Sequence, residues 1–232
     1  MTKKLPLVLC PGLLCDAALW APQVEALRDV AEVFIPSLAQ EDTMSGMGAA
    51  VLREAPWPQF ARAGLSMGGY VALEIMRQAR ERVTALALMD TQARSDSPEA
   101  SAGRRALVAR SFDDFDGVID SLFPRLVHPA RAQDAALKAS FTAMAQAVGP
   151  EAFRRQQAAI MTRIDSRPFL PRIACPTLVL CGRDDGVTPV ALHEEMADAI
   201  PGARLEVLED CGHLSAIERP EAVTAALRKW LA

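Results

Sequence analysis

The chain has 232 residues, half of them hydrophobic and 23% charged, which is enough apolar material for a sizeable core and too much for a wholly disordered chain. A formal net charge of −4 offers nothing to a polyanion and excludes nucleic acid as the main ligand. Apolar runs such as Ala85–Met89 fall far short of the roughly 20 residues that cross a bilayer, so no membrane span is expected.

Lys3 and Lys4 followed by an apolar stretch have the order of a secretion leader, but Pro6 and Pro11 interrupt it. The stretch reads better as a buried strand, Leu7–Cys10, entering a Pro-Gly turn. Helical patterns follow at Ala17–Arg28, Thr43–Glu54 and Met67–Arg80, interleaved with strands at Glu32–Ile35, Gln59–Gly64 and Thr84–Met89. Such alternation predicts βαβ units and a parallel sheet with both faces covered. From about Arg94 to Arg167 the rhythm changes to four helical patterns, Pro98–Arg110, Asp113–Leu126, Ala130–Val148 and Glu151–Arg163, with proline and glycine at the joins. Alternation resumes with a strand at Thr177–Cys181, a helix near Val190–Ile200, a strand at Leu205–Leu208 and a helix near Pro220–Leu231. The expected organisation is a core of residues 1–93 and 168–232 interrupted by a helical insert, 94–167. Residues 95–168 carry a charge of +1 and the remainder −5, too small a difference to name a ligand.

Five cysteines (Cys10, Cys15, Cys175, Cys181 and Cys211) with no C-x-x-C pair fit a reducing cytoplasm better than a disulfide framework. Burial accounts for most of them; Cys211 stands out as a neighbour of His213. His128, His193 and His213 lie too far apart for an i,i+4 ligand pair, so no metal site is expected.

The sharpest signal is Gly64-Leu65-Ser66-Met67-Gly68, a G-x-S-x-G where a predicted strand meets a predicted helix. A nucleophilic serine must stand proud of a sheet on a strained turn, so its flanking positions need to lack side chains. No Gly-Lys-Ser/Thr follows, which excludes a phosphate-binding loop. A serine hydroxyl needs a base, and the base needs an orienting acid. His213 follows the strand Leu205–Leu208, and so lies at the same sheet edge as Ser66 if the sheet is parallel. Asp184 and Asp185 follow the strand Thr177–Cys181, and either could orient the histidine. Asp90, ending another strand, is a rival acid more readily placed at the start of the insert.

The order Ser, Asp, His, with these motifs, resembles that of α/β-hydrolase fold enzymes along nearly the whole chain. The resemblance implies a doubly wound, mostly parallel six-stranded sheet lacking the first two strands of the family, with an all-helical lid inserted between strands. The family's G-x-x-D-x-x-x-P loop, matched on Gly182 and Pro189, implies Asp185 as the catalytic acid and leaves Asp184 facing solvent. It also implies an oxyanion hole made by the backbone amides of Met67, at a helix N-terminus, and Leu13, in the loop after the first strand. Pro11-Gly12 stands there in place of the family's usual His-Gly.

The expected function is serine-dependent hydrolysis of a small carboxylic ester by Ser66, His213 and Asp185. No cofactor is expected, the partner is a small molecule, and the chain is a cytoplasmic monomer or homodimer. A carbon–carbon bond hydrolase, or a lyase-type relative resembling the menaquinone-pathway cyclohexadiene synthase, would use the same residues. A ligand sensor on a hydrolase scaffold is the non-enzyme alternative. Apolar positions of the insert, among them Leu107, Phe112, Phe115 and Phe141, are expected to be mostly internal packing. Its arginines (Arg104, Arg105, Arg110, Arg154, Arg155) are expected to form a solvated face. An ordinary imidazole pKa near 6.5 sets the expected loss of activity below about pH 6.

Overall fold

Leu7, Val8, Leu9 and Cys10 have no exposed surface, and apolar burial on both faces is what a central parallel strand requires. They belong to β1 (Leu5–Cys10) in a computed structural model that describes residues 4–232. Lys3, half of the basic pair considered above, lies outside those residues. β2 (Ala31–Phe34), β3 (Phe60–Leu65), β4 (Val83–Met89), β5 (Thr177–Gly182) and β6 (Arg204–Leu208) complete a six-stranded sheet in the order β2-β1-β3-β4-β5-β6. Every recorded strand pair is parallel. All six expected strands are present, each within two residues of its expected ends.

Alternating strand residues sort the helices onto two faces. Leu7, Leu9, Ala63, Leu65 and Ala87 pack with α1 (Ala21–Leu27) and α9 (Pro220–Leu231). Val8, Cys10, Leu86, Leu88 and Val179 pack with α2 (Met44–Glu54), α3 (Met67–Ala79) and α7 (Val190–Ala199). The chain leaves β1 toward one edge and returns past it to β3, so the loops after β1 and β3 face each other at the point where the strand order reverses. In open α/β sheets that crevice, beyond the carboxyl ends of the strands, is where ligands bind.

Between β4 and β5 lie α4 (Pro98–Arg110), α5 (Phe115–Leu126) and α6 (Ala135–Met161). Ser97, Asp114 and Asp134 cap them by accepting from the amides of Ala100, Gly117 and Leu137. Gly149, at φ 78, divides α6, so the two helical patterns expected on either side of Gly149-Pro150 are two arms of one bent element. This stretch covers the carboxyl edge of the sheet. Leu126 O, at the end of α5, accepts from the amides of His213 and Leu214, each at 3.0 Å.

Three expectations need correction. Ala17–Arg28 is not one helix: Ala17–Trp20 is a 3₁₀ turn in which Ala21 N donates to Ala18 O. Pro22 lacks the N–H that an α-helical bond to Ala18 O requires. The helix expected from Ala130 begins at Ala135, where the Asp134 cap sits, after a separate 3₁₀ turn at Pro129–Arg131. A short helix, α8 (Ser215–Glu218), was not expected.

Candidate active site

Ser66 takes the step from β3 to α3 at φ 55, ψ −114, a left-handed backbone that costs a residue bearing a side chain on the order of 1–3 kcal/mol. Close packing holds it there. A Cβ on Gly64 would stand 2.1 Å from Gly68 O, and one on Gly68 would stand 2.1 Å from Cys10 O. Only glycine lets β3, the turn and the loop after β1 come this near. Met89 O accepts from Ser66 N at 2.9 Å, and Thr91 Oγ1 donates to Ser66 O at 2.9 Å, fixing the turn from the β4 side.

His213 arrives from the loop after β6, and its Nε2 lies 2.8 Å from Ser66 Oγ. Its Nδ1 lies 2.7 Å from Asp185 Oδ2, in the loop after β5. With Nδ1–H donated to that carboxylate, Nε2 carries a lone pair directed at the serine hydroxyl. Asp185 is itself held: Oδ1 accepts from the amides of Val187 and Thr188 at 2.8 Å, and Thr188 Oγ1 donates to Oδ2 at 2.7 Å. Burial favours a neutral carboxyl at Asp185, but the charge and hydrogen bond of His213 and the Thr188 donors outweigh it and lower the pKa. Burial likewise disfavours the His213 imidazolium, yet Asp185, Asp90 and Glu218 together raise its pKa above the ordinary value. The sequence-based pH expectation moves upward accordingly.

Asp184 is exposed and 3.4 Å from His128 Nε2, away from His213. Asp90 is fully buried but does not touch the imidazole. Its Oδ1 accepts from Gly182 N at 3.2 Å and its Oδ2 from Ser215 Oγ at 2.5 Å, so it ties the acid-bearing loop to the histidine-bearing loop. Burial and the neighbouring Asp185 push its carboxyl well above the usual range. Cys211 is buried and its thiol pKa is raised by burial, which makes it a poor nucleophile. His193, fully buried, accepts from Thr91 N at 2.9 Å and has its pKa lowered to about 4 by burial; it is a neutral strut. Among the described residues no cluster of three or more His, Cys, Asp or Glu could hold a metal ion.

Leu13 follows Gly12, whose added Cβ would stand 3.4 Å from Ser66 Cβ, and Met67, next to Ser66, opens α3. The loop that carries Pro11-Gly12 in place of His-Gly is held by a side chain of the helical insert. Gln156 of α6 accepts from Leu14 N at 3.1 Å and donates to Leu38 O at 3.2 Å. Glu218 plays the same part for the histidine loop, accepting from Gly212 N at 3.1 Å and Leu214 N at 3.3 Å. Neither was visible in the sequence, because Gln156 lies 142 residues from its partner and no motif marks Glu218. Thr188, inside the acid loop, had a local signal: a hydroxyl three residues after Asp185 in a turn.

Ser66 and His213 open into a cavity of about 800 Å³ whose lining includes Leu107 of α4, Leu122 of α5 and Phe141 of α6. Phe112 is not internal packing as expected; it is 68% exposed, with the Arg154 guanidinium 4.2 Å above its ring. Arg104 and Arg110 line the cavity, where a solvated face was expected.

The alpha/beta hydrolase fold family matches residues 6–220, and the chain belongs to that family of enzymes. A Mycobacterium tuberculosis relative, BpoC, whose name assigns it provisionally to the non-heme bromoperoxidases, is 32% identical over 174 residues. That match takes in 73% of this chain and 66% of the relative, so the chain spans slightly under two thirds of its length. Among solved structures, a thermophilic esterase from Thermogutta terrifontis has a TM-score of 0.89 at 32% identity, covering 99% of this chain and 90% of that one. The enol-lactonase from Burkholderia xenovorans LB400 has a TM-score of 0.87 at 26% identity, covering 99% and 92%. No described helix is long and apolar enough to cross a membrane.

Proposed function

We propose that the protein is a serine hydrolase that cleaves small carboxylic esters through an acyl-enzyme on Ser66. The observation that carries this reading is the unbroken hydrogen-bonded chain from Asp185 through His213 to Ser66, at 2.7 and 2.8 Å, opening into a cavity large enough for a small ester. Ser66 Oγ attacks the ester carbonyl carbon while His213 Nε2 takes its proton. Asp185 holds the imidazole in the tautomer that can do so and steadies the imidazolium. The amides of Leu13 and Met67 stabilise the developing oxyanion, and His213 returns the proton to the leaving alcohol. Water then repeats the sequence on the acyl-enzyme, releasing the acid and restoring Ser66. The esterase and enol-lactonase among the similar structures support the assignment, a lactone being a cyclic ester. Residues 94–167 act as a lid over the core formed by 1–93 and 168–232.

The test pairs labelling with turnover. A small organophosphonate at neutral pH should label Ser66 stoichiometrically, read by mass spectrometry. Short- to medium-chain p-nitrophenyl esters should turn over continuously, with Ser66→Ala losing at least about a thousandfold in kcat. Labelling elsewhere with Ser66 free would sink the triad. Labelled Ser66 with no turnover across a broad acyl panel would leave the site intact and favour carbon–carbon cleavage or the lyase-type chemistry.

A further inference from the structure

The cavity is lined by more positive charge than its own side chains neutralise. Five arginines line it (Arg94, Arg104, Arg110, Arg125 and Arg163) against two carboxylates, Asp96 and Glu99. Arg94 and Arg110 are matched from outside the cavity, by Glu195 at 2.9 Å and Asp114 at 2.6 Å. Arg104 and Arg163 must share one carboxylate. Arg104 Nε donates to Asp96 Oδ2 at 2.7 Å, and Arg163 Nη1 pairs with Asp96 Oδ1. The Asp96 side chain is only 3% exposed, so one carboxylate neutralises two guanidiniums in a place where water screens little. Glu99, on the exposed first turn of α4, is the one other carboxylate on the lining.

Beside this cluster sits an unused donor. Gln157 of α6 is fully buried and lines the same cavity. Its Oε1 accepts from Arg104 Nη1 at 3.0 Å, which fixes the orientation of the amide, and its Nε2 has no acceptor in the protein. A buried donor left unpaired is destabilising, a cost removed when a ligand brings an acceptor. Excess positive charge and an unpaired neutral donor, side by side on one wall, call for an anionic acceptor. Carboxylates meet both needs with their two oxygens.

We infer that the cavity selects esters whose acyl chain ends in a free carboxylate, seated against Arg104 and Gln157 Nε2. This rests on the ester reading above and names its substrate class. Hydrolysis breaks the ester C–O bond, water adds OH to the acyl carbon and H to the alcohol oxygen, and the acid released is a dicarboxylate. The sequence reading of the insert arginines as a solvated face is thus replaced, for Arg104, by a cavity role.

The experiment compares p-nitrophenyl butyrate with mono-p-nitrophenyl glutarate, the same acyl chain with a terminal carboxylate, after subtracting spontaneous hydrolysis. Wild type should favour the glutarate ester at least tenfold in kcat/KM, mainly through KM, and the preference should shrink as salt is added. Gln157→Leu and Arg104→Gln should each reduce that preference about tenfold. Gln157→Leu adds no charge and breaks no ion pair, so it reads the site even if Arg104→Gln perturbs the Asp96 cluster. Equal or better use of the butyrate by wild type overturns the inference and leaves the ester reading standing. If neither ester is cleaved, the ester reading fails and binding decides the carboxylate. Free glutarate should then slow phosphonate labelling of Ser66 at concentrations where glutaramide does not; equal effects, or none, overturn it.

Discussion

Arg62 lies on β3, on the α3 side of the sheet and beneath the turn that carries Ser66, with no exposed surface. Nη2 makes two long contacts, 3.3 Å to Cys10 Sγ and 3.4 Å to Gly68 O, while Nε and Nη1 have no acceptor. Burial lowers its pKa. A charge taken out of water with so little in return is destabilising by several kcal/mol. Arg62→Met keeps the length and drops the charge, so it should raise the free energy of unfolding by on the order of 1–4 kcal/mol. The readout is a higher urea midpoint at unchanged slope; a lower midpoint would mean that the contact with Gly68 O outweighs the desolvation. His213 shows the opposite balance, since the charges around it outweigh its burial. A raised pKa keeps the ring protonated to higher pH, and a protonated ring cannot take the serine proton. Activity should therefore be lost as pH falls through a midpoint above 6.5, the ordinary imidazole value. Asp185→Asn removes the nearest of those charges and should move the midpoint down while cutting kcat about 10⁴-fold. Asp184→Asn, exposed and facing His128, should leave kcat nearly unchanged. Steady-state profiles of the two variants decide between the aspartates.

Elements with strong local signals were legible and those held by distant partners were not. The strands announced themselves by apolar runs bounded by turns, and the serine turn by glycines whose missing side chains admit Gly68 O and Cys10 O. The break in α6 was legible because Gly149-Pro150 permits a backbone that other residues resist, φ 78 and ψ 166. Pro22, by contrast, ends a 3₁₀ turn inside what its hydrophobic spacing presents as one helix. Gln156 and Glu218, which hold the two loops flanking Ser66 and His213, carry no signature because their partners are backbone amides chosen by the fold. Two glycines of the helical stretch test this physics with opposite signs. Gly149→Ala forces a side chain into a glycine-only region and should cost about 1–3 kcal/mol. Gly103→Ala, inside α4 with open space around it, should add about 0.4–1 kcal/mol by restricting the unfolded chain. Thermal or urea unfolding of both single variants gives the comparison.

At the scale of the whole molecule, α4 to α6 close over the carboxyl edge of the sheet and leave about 800 Å³ above Ser66. A roof of that size should make long, insoluble triglycerides poor substrates beside short p-nitrophenyl esters, with kcat/KM falling steeply as the acyl chain lengthens. The proposed chemistry is assembled from four strand ends, those of β1, β3, β5 and β6, and the bond between Ser66 and His213 joins residues 147 apart in sequence. Synthesis runs from the N-terminus, so the turn bearing Ser66 leaves the ribosome long before the imidazole proposed to activate it. A chain that stops short of Cys211 carries the hydroxyl and the loop that cradles it, and has no base. Under the proposed mechanism, products terminated before His213 should therefore be chemically silent: the nucleophile is made early and is armed only once residue 213 has been added.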